Sequence, residues 1–108
     1  FAVKSIYQNI FENALKYSST ERGLILNITI EDLTSHIKIN FKDNGVGIPE
    51  DVQPKIFNMF YRGNINSKND TGLGLYIVKK ALTKIGGTIT VASKENIGTT
   101  FEIILPRK

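Results

Sequence analysis

The period of the hydrophobic pattern changes several times along this chain, and those changes restrict the possible folds more than any other feature. Residues 1–18 place apolar side chains on one broad face of a helix, namely Val3, Tyr7, Ile10, Phe11 and Ala14. From Leu24 the period becomes two, which predicts a strand over 24–31. Residues 37–42 repeat the alternation and predict a second strand, antiparallel to the first.

The second half of the chain predicts a similar series of elements. Residues 52–61 predict a short helix, and the polar stretch 62–70 predicts a mobile surface loop. Helical spacing returns over 74–85, and residues 88–93 and 99–106 predict a C-terminal hairpin. We therefore expect an α/β domain, a two-layer sandwich in which a mixed, mostly antiparallel sheet carries its helices on one face.

The composition is that of one ordinary globular domain. The chain has 108 residues, of which 41% are hydrophobic and 22% charged, and a single core is usual at this length. It contains no cysteine and one histidine, His36, which excludes disulfide scaffolds, thiol catalysis and cysteine-ligated zinc, and argues against a histidine-based triad. The net charge of +4 suits an anionic partner without identifying one. No apolar run approaches the ~20 residues of a membrane-spanning helix.

A polar strip borders the apolar face of the first predicted helix. Asn9, Asn13, Lys16 and Tyr17 fall within roughly 100° of arc around the helix axis. An asparagine side chain offers a neutral oxygen to a hard cation such as Mg²⁺, and lysine offers a point charge to phosphate. The strip therefore indicates a ligand cleft or, on this pattern alone, a solvated helix flank with a tyrosine at its edge.

Two glycine-containing segments carry further candidate residues. In Asp-Asn-Gly-Val-Gly-Ile-Pro (43–49), the glycines let the backbone approach a flat ligand, and Asp43 can accept a hydrogen bond from an amine such as that of adenine. Thr-Gly-Leu-Gly-Leu (71–75) opens the second predicted helix, where exposed N–H groups favour phosphate. Arg62 lies between them and can reach a terminal phosphate. An ordinary turn, an ordinary helix start and a solvated arginine are the alternatives.

The order of these segments carries more information than each segment alone. Asn-x-x-x-Asn-Ala-x-Lys-Tyr (9–17), Asp-x-Gly-x-Gly-Ile-Pro (43–49), the aromatic stretch 56–62, Gly-Leu-Gly-Leu (72–75) and Gly-Thr-Thr-Phe (98–101) follow one another along the chain. This series resembles the N, G1, F, G2 and final glycine boxes of the ATP-binding catalytic domain of sensor histidine kinases. The resemblance implies the Bergerat ATP-binding fold, with the whole chain forming one such domain truncated at its N-terminus.

The resemblance also implies a role for each matching residue, with ATP and Mg²⁺ as ligands. Asn13 would bind Mg²⁺ through its amide oxygen, and Asn13, Lys16 and Arg62 would form the catalytic set. Asp43 would hydrogen-bond the adenine amine, and residues 62–70 would form a lid over ATP. The implied nucleotide-binding positions are Asn9, Asn13, Lys16, Tyr17, Asp43, Gly45, Gly47, Ile48, Tyr61, Thr71, Gly72, Leu73, Gly74, Leu75 and Thr99.

One position bears on the choice between phosphoryl transfer and hydrolysis. Hydrolysing relatives of this kinase family carry a glutamate one helical turn before the metal-binding asparagine, where this chain has Asn9, which cannot accept a proton. Glu12 projects about 100° away from Asn13 around the helix, and His36 lies in a strand pattern unlike the family's phosphoacceptor motif. The resemblance therefore implies transfer to a histidine on a separate dimerisation domain of the same kinase, with a response regulator downstream. The full-length protein would be a membrane-anchored homodimer with this domain in the cytoplasm.

Three other functions remain open at this point. The same series of segments also fits an anti-sigma-type serine kinase or an ATPase of the same superfamily, and it fits a degenerate domain that binds ATP without transferring phosphate. A nucleic-acid-binding module is the third alternative, and the scattered lysines and arginines argue against it because no predicted helix carries a basic stripe.

Overall fold

The computed structural model describes residues 2–58 and 74–107. Its elements are α1 (Ala2–Lys16), β1 (Leu26–Asp32), β2 (His36–Asp43), a 3₁₀ turn (Gln53–Lys55), α2 (Gly74–Lys84), β3 (Thr88–Lys94) and β4 (Gly98–Pro106). No helix in the described ranges is long and apolar enough to cross a membrane. The predicted loop 62–70 lies outside the described residues.

The strands form one sheet in the order β1-β2-β4-β3. Each pair of neighbours in this sheet is antiparallel, so the predicted sandwich is confirmed, while the parallel component that a mixed sheet requires is absent among the described strands. Phe41 of β2 pairs with Ile28 on one side and with Phe101 on the other. Paired residues project from the same face, and this register therefore collects the apolar side chains of all four strands on one side.

Both helices pack on that apolar side of the sheet. Ile10 of α1, Val78 and Leu82 of α2, and Phe101 of β4 belong to one buried cluster, and each is at most 1% exposed. The ring of Tyr7 also lies 6.3 Å from that of Phe41. Burying a side chain of this size contributes about 1.5–3 kcal/mol, so these contacts fix α1 and α2 against the sheet.

The ends of several elements differ from the sequence-based predictions. β1 begins at Leu26 rather than Leu24, because the backbone N–H of Ile25 donates to the side-chain Oδ1 of Asn44 at 2.8 Å instead of continuing a strand ladder. The helix predicted over 52–61 is, in its described part, only a 3₁₀ turn, because the backbone N–H groups of Lys55 and Ile56 donate to the oxygens three residues earlier rather than four.

The alternation in β1 predicts the strand correctly but gives little burial. Ile28 is 41% and Ile30 67% exposed, although both project from the helix-covered side of the sheet. β1 is an edge strand of the sheet, and the described helices pack mainly over the other strands. Alternation alone reports which face a residue is on, and it carries no information on how far the covering layer extends.

Candidate functional site

Asp43 is the last residue of β2 and the one charged residue that is buried in the described part of the chain, with 5% of its surface exposed. Its Oδ1 accepts hydrogen bonds from the backbone N–H groups of Gly45, at 2.9 Å, and Thr99, at 3.2 Å. Both hydrogen bonds that the described residues donate to this carboxylate end on Oδ1. Oδ2 is therefore the oxygen available to a ligand.

Burial determines the ionisation of this carboxylate. Desolvation raises the pKa of Asp43, and the hydrogen bonds from Gly45 and Thr99 oppose that rise without cancelling it. Within the described ranges, the ion pairs join other residues and leave Asp43 without a cationic partner. A buried carboxylate without a cation is costly, and perturbed acids of this kind are typical of functional sites.

Two glycines let the segment after Asp43 pass between its neighbours. A Cβ on Gly45 would lie 2.2 Å from the backbone oxygen of Tyr17, directly after α1. A Cβ on Gly47, whose φ is +79°, would lie 2.2 Å from the backbone oxygen of Lys94. Only glycine fits such approaches. Residues 44–48, here called the glycine loop, are thus held between the end of α1 and the β3–β4 hairpin.

Backbone hydrogen bonds fasten both sides of the glycine loop. The Val46 N–H donates to the Tyr17 oxygen at 2.8 Å, and the Asn96 N–H donates to the Val46 oxygen at 2.7 Å. The predicted site residues Tyr17 and Gly45 are therefore brought together. Asp43 and Thr99 meet in the same way, 56 residues apart in sequence, because β2 and β4 are paired.

Hydrogen bonds through two hydroxyl groups connect the glycine loop to β3 and β4 beside Asp43. Ser93 Oγ lies 2.7 Å from Thr99 Oγ1 and accepts a hydrogen bond from the Ile48 N–H, also at 2.7 Å. The Gln53 amide donates to the backbone oxygens of Ile48 and Ser93. Ile48 and Thr99 are at most 2% exposed. The glycine loop is therefore rigidly positioned against β3 and β4.

The polar strip of α1 lies beside the start of α2. A Cβ on Gly74 would be 3.2 Å from Oδ1 of Asn9, so the first residue of α2 and the strip are neighbours. Asn13 is partly exposed as a residue, yet its Nδ2 atom is buried and has no hydrogen-bond partner among the described residues. An unpaired buried amide is unfavourable by itself, and it indicates a place where a ligand atom completes the bonding.

The remaining candidates divide into those that the structure places and those that it does not. Lys16 lies with its Nζ 5.2 Å from the centre of the Tyr17 ring, at the end of α1 nearest the glycine loop. Leu75 packs against the buried core. Five predicted site residues lie outside the described ranges: Tyr61, Arg62, Thr71, Gly72 and Leu73.

Sequence reasoning missed three residues that hold the site together, namely Arg22, Ser93 and Gln53. The sequence does contain a signal for Ser93. Ile89, Val91 and Ser93 occupy alternate positions of β3 and face the core, so a serine ends a series of otherwise apolar core-facing residues. Arg22 donates to the backbone oxygens of Asn44 and Gly45. Neither it nor Gln53 belongs to a recognisable motif, and their contacts depend on the tertiary structure.

In the described part of the chain no three acidic, histidine or cysteine side chains cluster as a metal site would require. The fold and the site define a domain with a buried acidic acceptor, a glycine loop and an amide-lined strip. Residues 2–108 match the model of the family described as "Histidine kinase-, DNA gyrase B-, and HSP90-like ATPase". The chain belongs to this ATPase family.

The individual relatives are named as sensor proteins or sensor histidine kinases. The chain is 37% identical over 107 residues to the sensor protein RprX of Bacteroides fragilis, covering 96% of this chain and 21% of the relative. It is 36% identical over 108 residues to the sensor histidine kinase YvrG of Bacillus subtilis, covering 97% and 18%. Among solved structures, the mycobacterial sensor histidine kinase MprB matches with a TM-score of 0.83 and 29% identity, covering 97% of this chain and 72% of that one. The chain thus spans about a fifth of the length of these two curated relatives.

Proposed function

We propose that this chain is the ATP-binding catalytic domain of a sensor histidine kinase, which binds Mg-ATP and presents its γ-phosphoryl group to a histidine on another domain. The observation that carries the proposal is the buried Asp43 carboxylate, with Oδ1 held by two backbone N–H groups and Oδ2 available. The family membership and the kinase relatives support it.

The adenine ring is the ligand that suits Asp43. Its exocyclic amine is a hydrogen-bond donor, and an ionised carboxylate offers acceptors only. Gly45 and Gly47 let the glycine loop pass close to the backbone of Tyr17 and Lys94, which holds that loop beside Asp43. A hydrogen bond to a charged acceptor is stronger than a hydrogen bond between neutral groups. Because the Asp43 carboxylate is buried, a base that donates to Oδ2 is favoured over water at this position.

The α1 strip suits the phosphate end of the same ligand. The buried amide nitrogen of Asn13 has no partner among the described residues and is available to bond to a ligand atom. The side-chain oxygen of Asn13, once turned toward the ligand, is a hard donor of the kind Mg²⁺ prefers. The amide nitrogen and oxygen are interchangeable by rotation. Mg²⁺, when bound, would offset charge on the phosphates. Lys16 and Arg62 would contribute further positive charge there.

Transfer fits the described residues better than hydrolysis. Asn9, beside the first residue of α2, is an amide and cannot take a proton from water. The nearby carboxylate of Glu12 is on the exposed side of α1, where the Gln8 side chain donates to it at 3.3 Å. Without a general base at the strip, the domain's contribution is to position ATP and stabilise charge, which phosphoryl transfer chiefly requires.

The acceptor would come from outside this chain. His36 begins β2, at the opposite end of that strand from Asp43, and its Nδ1 lies 2.9 Å from Ser35 Oγ. We therefore assign the phosphoacceptor to a histidine-bearing dimerisation domain of the same kinase, with a response regulator as the next acceptor. We further propose, from the resemblance to the sensor histidine kinase family, that the full-length protein is membrane-anchored and homodimeric, with this domain in the cytoplasm.

Two assays test this function in sequence. Asp43→Ala should abolish ATP binding, while Asp51→Ala, which removes an exposed carboxylate, should leave it unchanged. The wild-type chain, given labelled Mg-ATP and a histidine-bearing dimerisation domain in trans, should then label that histidine. Unchanged ATP affinity in the Asp43 variant would contradict the site. Tight ATP binding with no label on the histidine would instead favour a domain that senses ATP without transferring phosphate.

A further inference from the structure

We propose that Arg22 is a positioning residue for the base-binding carboxylate, and that it acts on Asp43 through the single peptide group joining Asn44 to Gly45. The inference rests on the proposed function, because it assumes that Asp43 receives the adenine amine. It adds a residue from the loop after α1 that belongs to none of the sequence motifs.

Among the residues that the structure describes, the guanidinium of Arg22 is hydrogen-bonded only to the glycine loop. Its Nε and Nη2 donate to the backbone oxygen of Asn44 at 3.2 and 3.0 Å, and Nη2 also donates to the oxygen of Gly45 at 2.7 Å. Among the described residues it forms no ion pair. These are also the only hydrogen bonds that the described chain donates to either oxygen.

One planar peptide group connects this contact to Asp43. The Asn44 oxygen that accepts from Arg22 and the Gly45 N–H that donates to Asp43 Oδ1 belong to the same peptide unit. A peptide group is rigid and planar, so holding its oxygen also sets the direction of its N–H. Hydrogen bonds at both ends of one amide also polarise it and strengthen each other.

The backbone at Arg22 is held in place by a tight turn. The buried hydroxyl of Ser19 accepts hydrogen bonds from the N–H groups of Glu21 and Arg22, both at 3.3 Å. The Gly23 N–H donates to the Ser19 oxygen at 3.1 Å, and Gly23 has the left-handed φ of +71° that favours glycine. The turn therefore presents Arg22 to the glycine loop.

Arginine is suited to this contact by its shape. Its planar guanidinium has several N–H donors in a fixed fork and can bridge two neighbouring carbonyl oxygens, whereas a lysine ammonium is a point donor on a flexible stem. Arg22→Lys should therefore keep the charge and restore only part of the positioning. Arg22→Gln should lose most of it.

The test compares three ligands that differ in the base. ATP carries the exocyclic amine, inosine triphosphate has a carbonyl oxygen in its place, and inorganic triphosphate has no base. In the full chain, Arg22→Gln should weaken ATP binding about three- to tenfold, in keeping with the modest net strength of such hydrogen bonds. The affinity for inorganic triphosphate should not change, and the preference for ATP over inosine triphosphate should fall. Arg22→Lys should be intermediate.

Lys42→Gln provides the matched control. Lys42 precedes Asp43 and projects, exposed, from the opposite face of β2, so its removal takes away the same charge without touching the glycine loop. An effect equal to that of Arg22→Gln would show that long-range charge is responsible and would overturn the peptide mechanism. Equal weakening of all three ligands by Arg22→Gln would overturn it as well, because loss of general stability acts on every ligand.

A second measurement does not depend on nucleotide. Amide hydrogen exchange at Gly45 should be faster in Arg22→Gln than in the wild type, and unchanged exchange would contradict the proposal. Asp43→Asn separates the inference from the function on which it rests. If Asp43→Asn changes the preference between ATP and inosine triphosphate and Arg22→Gln does not, only the role of Arg22 fails. If neither variant changes it, the proposed function fails.

Discussion

The backbone oxygen of Tyr17 occupies the space where a side chain on Gly45 would begin, only 2.2 Å from the position of a Cβ. This contact joins the end of α1, with its amide strip, to the loop that follows Asp43. The two ends of the candidate ATP site are thus fixed relative to each other by backbone atoms, and changes at this contact should affect both folding and binding.

Gly45→Ala should destabilise the protein, because its Cβ meets a backbone atom that cannot move aside as a side chain would. Forced overpacking of this kind costs typically about 1–3 kcal/mol. Gly74→Ala is the control, since the nearest atoms that its Cβ would meet belong to the side chain of Asn9 and alanine favours a helix. Urea unfolding of both variants checks this, and equal stability of Gly45→Ala and wild type would contradict the described packing.

Asp43 should make the wild-type protein less stable as the pH rises. Because burial raises the pKa of Asp43 above its usual 3.8, the folded chain holds a proton that the unfolded chain has already released. Stability then falls as the pH rises from that usual value through the raised one. Asp43→Asn removes the effect, so its unfolding free energy relative to wild type should increase with pH and level off. Asp51→Asn controls for the lost charge, and a relative stability that decreases with pH would contradict the prediction.

Asn13→Ala should remove the dependence of ATP binding on Mg²⁺. The buried amide nitrogen has no partner to lose among the described residues, so the variant should keep nearly the stability of the wild type. ATP affinity measured with Mg²⁺ and with a chelator should become equal in the variant. Asn58→Ala, at an exposed position, should retain the difference, and a full Mg²⁺ effect in Asn13→Ala would remove this residue from the site.

ATP hydrolysis by the chain alone should be slow and independent of Glu12. Its carboxylate lies on the exposed side of α1 and accepts from Gln8, so Glu12→Gln should leave phosphate release unchanged. Steady-state phosphate release with Mg-ATP measures this. Rapid hydrolysis that Glu12→Gln abolishes would identify a general base and favour an ATPase over a kinase.

The sequence predicted the parts of this molecule that depend on local pattern. Alternation and helical spacing located both helices and all four described strands, and the spacing of glycines located the loop after Asp43. The family resemblance assigned Asp43 and Thr99 each to the nucleotide site, but their contact with each other was not predicted, since 56 residues separate them. The contact follows from the antiparallel pairing of β2 with β4, which places the two residues opposite each other.

What the sequence did not predict depends on the packing of distant segments. Arg22 reaches the glycine loop only because the turn after α1 lies beside the end of β2, and its residue type gives no hint of two carbonyl partners. The exposure of Ile30 has the same origin, because it depends on where the helix layer ends and not on the alternation of β1. Both facts require the tertiary structure.

The affinity of Asp43→Asn for ATP and for inosine triphosphate tests the central claim most directly. The asparagine Oδ1 can keep both backbone hydrogen bonds, which places its amide nitrogen where Oδ2 was, so a donor replaces the acceptor. The variant should lose about tenfold or more in ATP affinity, as expected for a hydrogen bond to a charged group, and should now prefer inosine triphosphate, whose base offers a carbonyl oxygen. An unchanged preference for ATP would show that Asp43 does not bind the base.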